Sequence, residues 1–138
     1  ALEAELLQAD LVVGAVLVPG AAAPKLVKDD VVKRMKEGAV LVDVAIDQGG
    51  CFENSHKTSH DDPTFKVHDT LFYCVANMPG AVANTSTRAL GSATLPYMRA
   101  LAAGGYDAAV ERFPGLAGGL MTRAGELVSQ PVKDAFNL

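Results

Sequence analysis

Four apolar residues surround one aspartate at the start of the segment Val42-Asp43-Val44-Ala45-Ile46-Asp47-Gln48-Gly49-Gly50-Cys51. The apolar run is typical of a buried strand, and an acid, an amide and two glycines follow it. Ligands of open α/β sheets bind at the carboxyl ends of the strands. A second apolar run of this kind, residues 73–76, ends in Asn77-Met78-Pro79-Gly80. The two blocks predict a ligand site at one edge of a sheet, with Asp47 as the candidate for chemistry.

The runs on either side predict a parallel sheet. Residues 11–18 are continuously apolar, as expected of a strand covered on both faces, and Pro19-Gly20 should end that strand. Residues 29–36 have helical periodicity, with acids first, bases last and Gly38 as a stop. With further strands over 39–46 and 70–76, the order strand, helix, strand predicts a right-handed βαβ crossover.

The remainder of the chain is predicted to be helical. A long helix is expected over 85–103, kinked by Pro96, with shorter helices around 107–113 and 126–136 and no strand after Ala76. The predicted fold class is therefore α/β: the second half of a Rossmann-type parallel sheet in residues 1–84, followed by a C-terminal helical segment in residues 85–138.

Composition excludes several classes of function. The 138 residues carry a formal charge of -4 and no run of Lys or Arg, so nucleic acid is not an expected partner. No apolar stretch approaches the roughly 20 residues of a membrane helix, and the acidic start is unlike a secretory signal. A cytoplasmic protein with no membrane partner is expected.

No metal site is predicted. Cys51 and Cys74 are the only cysteines, and their spacing fits no metal or redox motif, so buried, reduced thiols are expected. His56 and His60 are four residues apart, but their polar, loop-like surroundings favour solvated side chains over metal ligands.

Two interpretations of Asp47 remain open. In a doubly wound sheet this edge binds dinucleotides, and beside a nicotinamide Asp47 could hold an amino group, an imine or the attacking water. Alternatively, it caps its own turn. Asp43 lies within the strand and is expected to bind a neighbouring backbone amide.

The other strand ends offer candidate contacts to a dinucleotide. Val16 and Leu17 could pack against a nicotinamide or a ribose, and Gly49 and Gly50 let the backbone approach a ligand. Asn77 could contact a cofactor through its amide, or serve ordinary turn chemistry. The chain has no Gly-x-Gly-x-x-Gly turn for a pyrophosphate.

A set of specific motifs extends over essentially the whole chain. They are the runs 9–20, 42–51 and 75–82, together with Ala23-Pro24-Lys25-Leu26-Val27, Thr85-Ser86-Thr87, Ala93-Thr94-Leu95-Pro96-Tyr97 and Gly118-Gly119-Leu120. Together they resemble the C-terminal part of the alanine dehydrogenase and pyridine nucleotide transhydrogenase α family. Asp47 stands where the transhydrogenases have an amide-rich sequence, so the resemblance is to L-alanine dehydrogenase.

The resemblance implies reversible, NAD-dependent oxidative deamination of L-alanine to pyruvate and ammonia by a homo-oligomer, a hexamer in the family. It implies that Asp47 is catalytic beside the nicotinamide, and that the helical segment returns to a substrate domain. The positions that it assigns to the cofactor are Val16, Leu17, Val44, Ala45, Ile46, Asp47, Val75, Ala76, Asn77 and Met78.

The family's substrate domain and glycine-rich phosphate turn would precede Ala1, so residues 1–138 alone are expected to be inactive. Two alternatives remain. One is a transhydrogenase-like domain whose hydride acceptor is a second nucleotide, and the other is a non-catalytic module that pairs through an exposed sheet edge.

Overall fold

A computed structural model describes residues 1–18 and 22–138, which form two compact units, Ala1–Met78 and Pro79–Leu138. The predicted Pro19-Gly20 turn lies outside the described residues. The first unit contains helix α1 (Leu2–Leu6), strand β1 (Leu11–Gly14), helix α2 (Asp29–Val32), strand β2 (Val40–Asp43), a 3₁₀ helix (Val44–Gln48), and strands β3 (Thr64–Val67) and β4 (Thr70–Tyr73).

The α/β prediction is confirmed by the sheet, whose strand order is β1-β2-β4-β3. β1 pairs with β2 and β2 with β4 in parallel, so these three strands end at one edge. β3 was not predicted, and it pairs antiparallel with β4 as a hairpin. Its burial alternates residue by residue, which is ordinary for an outer strand with one face against the core.

The strands are shorter than their apolar runs. The prediction of a strand over 39–46 was wrong in its second half, because β2 ends at Asp43 and residues Val44–Gln48 form the 3₁₀ helix. The predicted strands 11–18 and 70–76 likewise end at Gly14 and Tyr73, and the helix predicted over 29–36 ends at Val32.

The core lies on one face of the sheet. In this face Leu41 and Phe72 are neighbours across the strands and have no exposed surface. The Phe72 ring meets Phe52 edge-on, with centroids 5.9 Å apart, and α2 adds the buried Val32. Full burial of each such side chain stabilises the fold by about 1.5–3 kcal/mol. On β1, however, Leu11 and Val13 are 60% and 59% exposed, so the expectation that this strand is covered on both faces was wrong for this chain.

A second 3₁₀ helix (Met78–Val82) begins at the last residue of the first unit. The second unit then contains helix α3 (Ala83–Arg112), a third 3₁₀ helix (Pro114–Gly119), strands β5 (Thr122–Arg123) and β6 (Glu126–Leu127), and helix α4 (Gln130–Phe136). The predicted helices 85–103 and 107–113 are joined as α3, which continues through Pro96 and is interrupted at Gly105, where φ is 71°. The prediction of no strand after Ala76 was wrong, since β5 and β6 pair as a short hairpin in place of the start of the helix predicted over 126–136.

Two kinds of feature are absent from residues 1–18 and 22–138. None of the helices found there has the length and apolar character needed to cross a membrane. The same residues contain no cluster of His, Cys, Asp and Glu side chains that could hold a metal ion.

Gly14 tests the packing at the end of β1. A Cβ atom at this position would lie 2.3 Å from Cys51 Sγ and 2.7 Å from the Phe52 ring, both of which are buried. We expect Gly14→Ala to destabilise the complete protein by about 1–3 kcal/mol through overpacking, measured as a lower midpoint of thermal unfolding.

Gly91→Ala is the matched control, because nothing lies within 4 Å of a Cβ at this helical position. Alanine is favoured over glycine in a helix by about 1 kcal/mol, so this variant should keep or raise the midpoint. Equal midpoints for Gly14→Ala and the parent protein would contradict the packing described here.

Candidate functional site

A cleft opens at the carboxyl ends of β1 and β2. Its volume is about 170 Å³, and its lining comes from the two segments that follow these strands: Ala15, Val16 and Leu17 on one side, and Val44, Ala45, Asp47 and Gln48 on the other. Parallel pairing of β1 with β2 brings the two segments together, as the sequence had predicted for this edge. Five of the candidate residues therefore share one cleft: Val16, Leu17, Val44, Ala45 and Asp47.

Asp47 presents an accessible carboxylate in this cleft. It lies on the 3₁₀ helix, and its side chain is 59% exposed. The Lys57 ammonium is 3.9 Å from Asp47 Oδ1, and this half-exposed ion pair contributes little to stability. Within the described ranges no backbone amide donates to Asp47, so the turn-capping interpretation finds no contact in its favour there.

The cleft has apolar walls with one orphaned polar atom. Leu17 and Val44 are 66% and 49% exposed, so each presents apolar surface for a ligand to cover. Gln48 Oε1 is buried and has no hydrogen-bond partner among the residues that the structure describes. A buried acceptor without a donor is costly, and a ligand N–H or a water would satisfy it.

The other candidate residues lie outside the lining of this cleft. Ile46 and Val75 are buried in the core, with 2% and 0% exposure. Ala76 and Met78 are half-buried, and Asn77 is exposed with φ of 54°. The Asn77 carbonyl oxygen lies 3.3 Å from His60 Nε2.

Asp43 organises the segment behind the cleft. Its carboxylate has no exposed surface, and Oδ2 accepts hydrogen bonds from Cys51 N at 2.9 Å and from Ser55 Oγ at 2.5 Å. The expectation that Asp43 binds a nearby backbone amide is confirmed. Sequence reasoning missed Ser55, because nothing in the polar loop marks which hydroxyl faces the strand.

Gly50 owes its identity to this carboxylate. Its φ is 76°, and a Cβ there would lie 2.6 Å from Asp43 Oδ2 and 2.8 Å from Ser55 Cβ. The glycine expected to make room for a ligand instead makes room for an internal hydrogen-bond network.

Lys25 holds the same turn from the other side. Its Nζ donates to the carbonyl oxygens of Gly49 and Phe52, the latter at 3.1 Å. The backbone of its segment also pairs with the turn, since Ala23 N donates to Gln48 O at 2.9 Å and Leu26 N to Cys51 O at 2.8 Å. The Ala-Pro-Lys-Leu motif was noticed in the sequence, but its lysine was not assigned a role.

Both cysteines are free and buried, as expected. Burial, with the neighbouring Asp43 carboxylate as a second cause, raises the pKa of Cys51 to about 11. Burial also raises the pKa of Cys74, whose Sγ lies 3.8 Å from Ser55 Oγ. Neither thiol is an activated nucleophile, because activation requires a lowered pKa.

These features define a class of protein: an α/β domain with a ligand cleft at the carboxyl ends of parallel strands, in the arrangement of nucleotide-binding folds. The family described as "Alanine dehydrogenase/PNT, C-terminal domain" matches residues 1–130. The chain belongs to this family.

Several alanine dehydrogenases are similar to the chain over nearly all of its length. The enzyme of Mycolicibacterium smegmatis is 61% identical over 99% of the chain, that of Mycobacterium tuberculosis 62% over 95%, and that of Halomonas elongata 55% over 100%. The chain spans only 35–37% of the length of these relatives.

Solved structures give the same assignment. An L-alanine dehydrogenase structure matches 98% of the chain with a TM-score of 0.77 and 49% identity, over 37% of its own length. A transhydrogenase from Sinorhizobium meliloti matches 62% of the chain with a TM-score of 0.57 and 27% identity, over 24% of its own length. The likeness to the dehydrogenase is the more extensive by each of these measures.

The thiol environments predict slow chemical modification. At pH 8 both thiols should react with a small disulfide reagent at least about 100-fold more slowly in the native complete protein than in denaturant, because the thiolate is the reacting form. A rate for Cys51 or Cys74 close to that of the unfolded chain would contradict the burial described here.

The raised pKa of Cys51 also sets the sign of a pH effect. The folded state holds the thiol proton more tightly than the unfolded state, whose cysteines ionise near 9. Its contribution to stability is therefore fully present below pH 9 and is lost as the pH rises towards 11. Cys51→Ala should flatten the fall of the unfolding midpoint across this range, and an unchanged slope would contradict the assignment.

Proposed function

We propose that the complete protein carrying this chain is an NAD-dependent L-alanine dehydrogenase, which converts L-alanine reversibly to pyruvate and ammonia. In this proposal, residues 15–17 and 44–48 form the nicotinamide end of the cofactor site. The observation that carries it is the accessible Asp47 carboxylate in the strand-end cleft of a chain 61% identical to an alanine dehydrogenase.

The cleft fits one end of a dinucleotide. Its volume of about 170 Å³ is below the roughly 300–1,000 Å³ of pockets that enclose a small molecule. Its apolar walls suit an aromatic ring, and the buried Gln48 Oε1 suits the N–H donors of a carboxamide. When bound, NAD supplies the acceptor for the hydride that leaves the substrate Cα.

The residues of this chain would bind the cofactor and orient its nicotinamide ring. Val16, Leu17, Val44 and Ala45 would pack on the cofactor ring and exclude water from its face. We place Ala76, Asn77 and Met78, after β4, along the remaining part of the cofactor. The buried side chains of Ile46 and Val75 would support these segments from the core without touching the cofactor.

Asp47 would act on the substrate nitrogen. An ionised carboxylate only accepts hydrogen bonds and has room for several donors. One oxygen would hold the amino group beside the cofactor ring, and the other would orient the water that attacks the imine carbon and take up its proton. General acid–base contributions of this kind amount to about 10²–10⁴ in rate.

We also propose a homo-oligomer that works in the cytoplasm. Among the described residues β1 is an end strand of the sheet, and its Leu11 and Val13 are more than half exposed. Further protein surface, from the rest of the complete protein or from a second copy, is needed to cover this strand. Two unpaired thiols suit a reducing compartment.

The reaction is tested by assaying the complete protein for NADH absorbance with NAD and L-alanine. We expect alanine-dependent NADH formation in the forward direction and NADH consumption with pyruvate and ammonia in reverse. Hydride transfer between two nucleotides without dependence on alanine would instead support the transhydrogenase-like alternative. Absence of both reactions would support a non-catalytic module.

Asp47→Asn tests the role of the carboxylate. The amide keeps the size of the side chain but cannot take up a proton, so kcat for alanine oxidation should fall by about 100-fold or more. The dissociation constant of NADH, measured by fluorescence titration, should change by less than about threefold, since apolar contacts dominate that end of the site.

Asp10→Asn is the control for this variant. Asp10 is an exposed carboxylate, ion-paired with Lys36 at 2.9 Å, and it precedes β1 at the opposite end of the strand from the cleft. It should leave kcat unchanged. Turnover of Asp47→Asn close to that of the parent protein would relegate Asp47 to a structural role.

A further inference from the structure

The wall of the cleft that carries Asp47 belongs to a closed loop. The chain leaves β2 at Asp43, forms the 3₁₀ helix over Val44–Gln48, and turns back over residues 49–52, here called the return turn. Cys51 N donates to Asp43 Oδ2 at 2.9 Å and Phe52 N at 3.4 Å, so the end of the loop is bound to its beginning.

The return turn is held from two sides by opposite charges. Asp43 accepts from its backbone N–H groups on the buried side. Lys25, on the other side, donates to the carbonyl oxygens of Gly49 and Phe52. Hydrogen bonds to charged groups are the stronger kind and fix geometry most firmly.

Neither Asp43 nor Lys25 lines the cleft. Asp43 has no exposed surface, so it cannot touch a ligand, and a buried charge is costly unless donors surround it. If packing were the only requirement at the end of β2, an apolar residue would be sufficient. The carboxylate instead requires Cys51 N and the Ser55 hydroxyl to lie at fixed positions as donors. Residues 44–50, which connect Asp43 to these donors, are thereby restricted in position.

We propose that Asp43 and Lys25 are positioning residues, which together set the location of the Asp47 carboxylate in the cleft. The proposal rests on the proposed function for its effect on turnover, and on the hydrogen bonds described above for its effect on the loop. A misplacement of a reacting group by about 1 Å costs on the order of 100-fold in rate. The hydrogen bonds of Asp43 and Lys25 to the return turn, here called the clamp, therefore have a direct catalytic consequence.

The test uses conservative variants of the complete protein. Asp43→Asn keeps the size of the buried side chain and removes its charge. Lys25→Met keeps the aliphatic stem, and water can replace its contacts to the two carbonyl groups, so this variant folds even where Asp43→Asn does not. Ser55→Ala removes one donor to Asp43.

Thr70→Val is the matched control. Thr70 is 1% exposed, and its hydroxyl donates to Val67 O at 2.7 Å in the β3–β4 hairpin. The variant therefore loses a hydroxyl hydrogen bond, as Ser55→Ala does. Thr70 is the first residue of β4, and the cleft lies at the carboxyl ends of β1 and β2.

Each variant is combined with Asp47→Asn in a double-mutant cycle on kcat. With Asp47 intact, we expect Asp43→Asn and Lys25→Met to lower kcat about tenfold or more. In the Asp47→Asn background the same changes should cost less than about threefold, because the carboxylate that they position is absent. Thr70→Val should change kcat by less than about twofold in both backgrounds.

A merely structural role predicts a different pattern. It lowers the unfolding midpoint and the amount of active protein, and its effect on kcat is the same in both backgrounds. Equal fold-losses with and without the Asp47 carboxylate, or an equal loss in Thr70→Val, would overturn the proposal.

Hydrogen exchange separates this proposal from the proposed function. If the parent protein does not oxidise alanine, the proposed function fails, and the clamp is judged on exchange in residues 44–55 alone. Lys25→Met and Ser55→Ala should then speed exchange of the Cys51 and Phe52 amides at least about tenfold relative to Thr70→Val. Exchange at the parent rate would overturn the clamp independently of any activity.

Discussion

The carboxylate of Asp43 has no exposed surface, and the local structure around the cleft follows from satisfying it. Cys51 N and the Ser55 hydroxyl donate to it, so the chain must return past the end of β2 within a few residues. Gly50 must lack a Cβ for the return to pass. The 3₁₀ helix over Val44–Gln48 connects Asp43 to the segment that donates to it. This helix presents Val44, Ala45 and Asp47 to the cleft.

The sheet was predictable from the sequence, but the end of β2 was not. The parallel sheet was predictable because continuous apolar runs separated by a helical pattern leave few other arrangements. The end of β2 was not predictable, since a short apolar run such as Val44-Ala45-Ile46 suits a strand or a helical turn equally by periodicity. The hydrogen bonds to Asp43, which join residues up to 12 apart in the chain, decide between the two.

The second unit also departs from what local sequence rules predict. Pro96 is the residue that local rules mark as a helix breaker, yet α3 continues through it and is interrupted at Gly105. A residue with φ of 71° cannot continue a helix, whereas a proline removes one backbone hydrogen bond and leaves the helical φ available. The β5–β6 hairpin has only two residues in each strand, too few for a periodic signal.

Part of the candidate site was predictable from the rule that ligands of open α/β sheets bind at the carboxyl ends of the strands. That rule selected Val16, Leu17 and Asp47 before any geometry was known, and the structure places all three in one cleft. The family resemblance added Val75, which is fully buried, because a position near a strand end says nothing about the direction of a side chain. Lys25, Ser55 and Lys57 lie in loops, and only the folded chain brings them to their partners. Lys25 reaches the Gly49 carbonyl oxygen, Ser55 reaches Asp43 and Lys57 reaches Asp47.

A crystal structure of the complete protein with NADH and pyruvate is the most direct test. We expect the nicotinamide ring between residues 15–17 and 44–48, with an Asp47 oxygen within hydrogen-bond distance of the site of the transferred nitrogen. We expect the Asp43 contacts to Cys51 and Ser55 to be unchanged. A nicotinamide bound away from this cleft, or an Asp47 carboxylate turned towards its own backbone in the complex, would contradict the account.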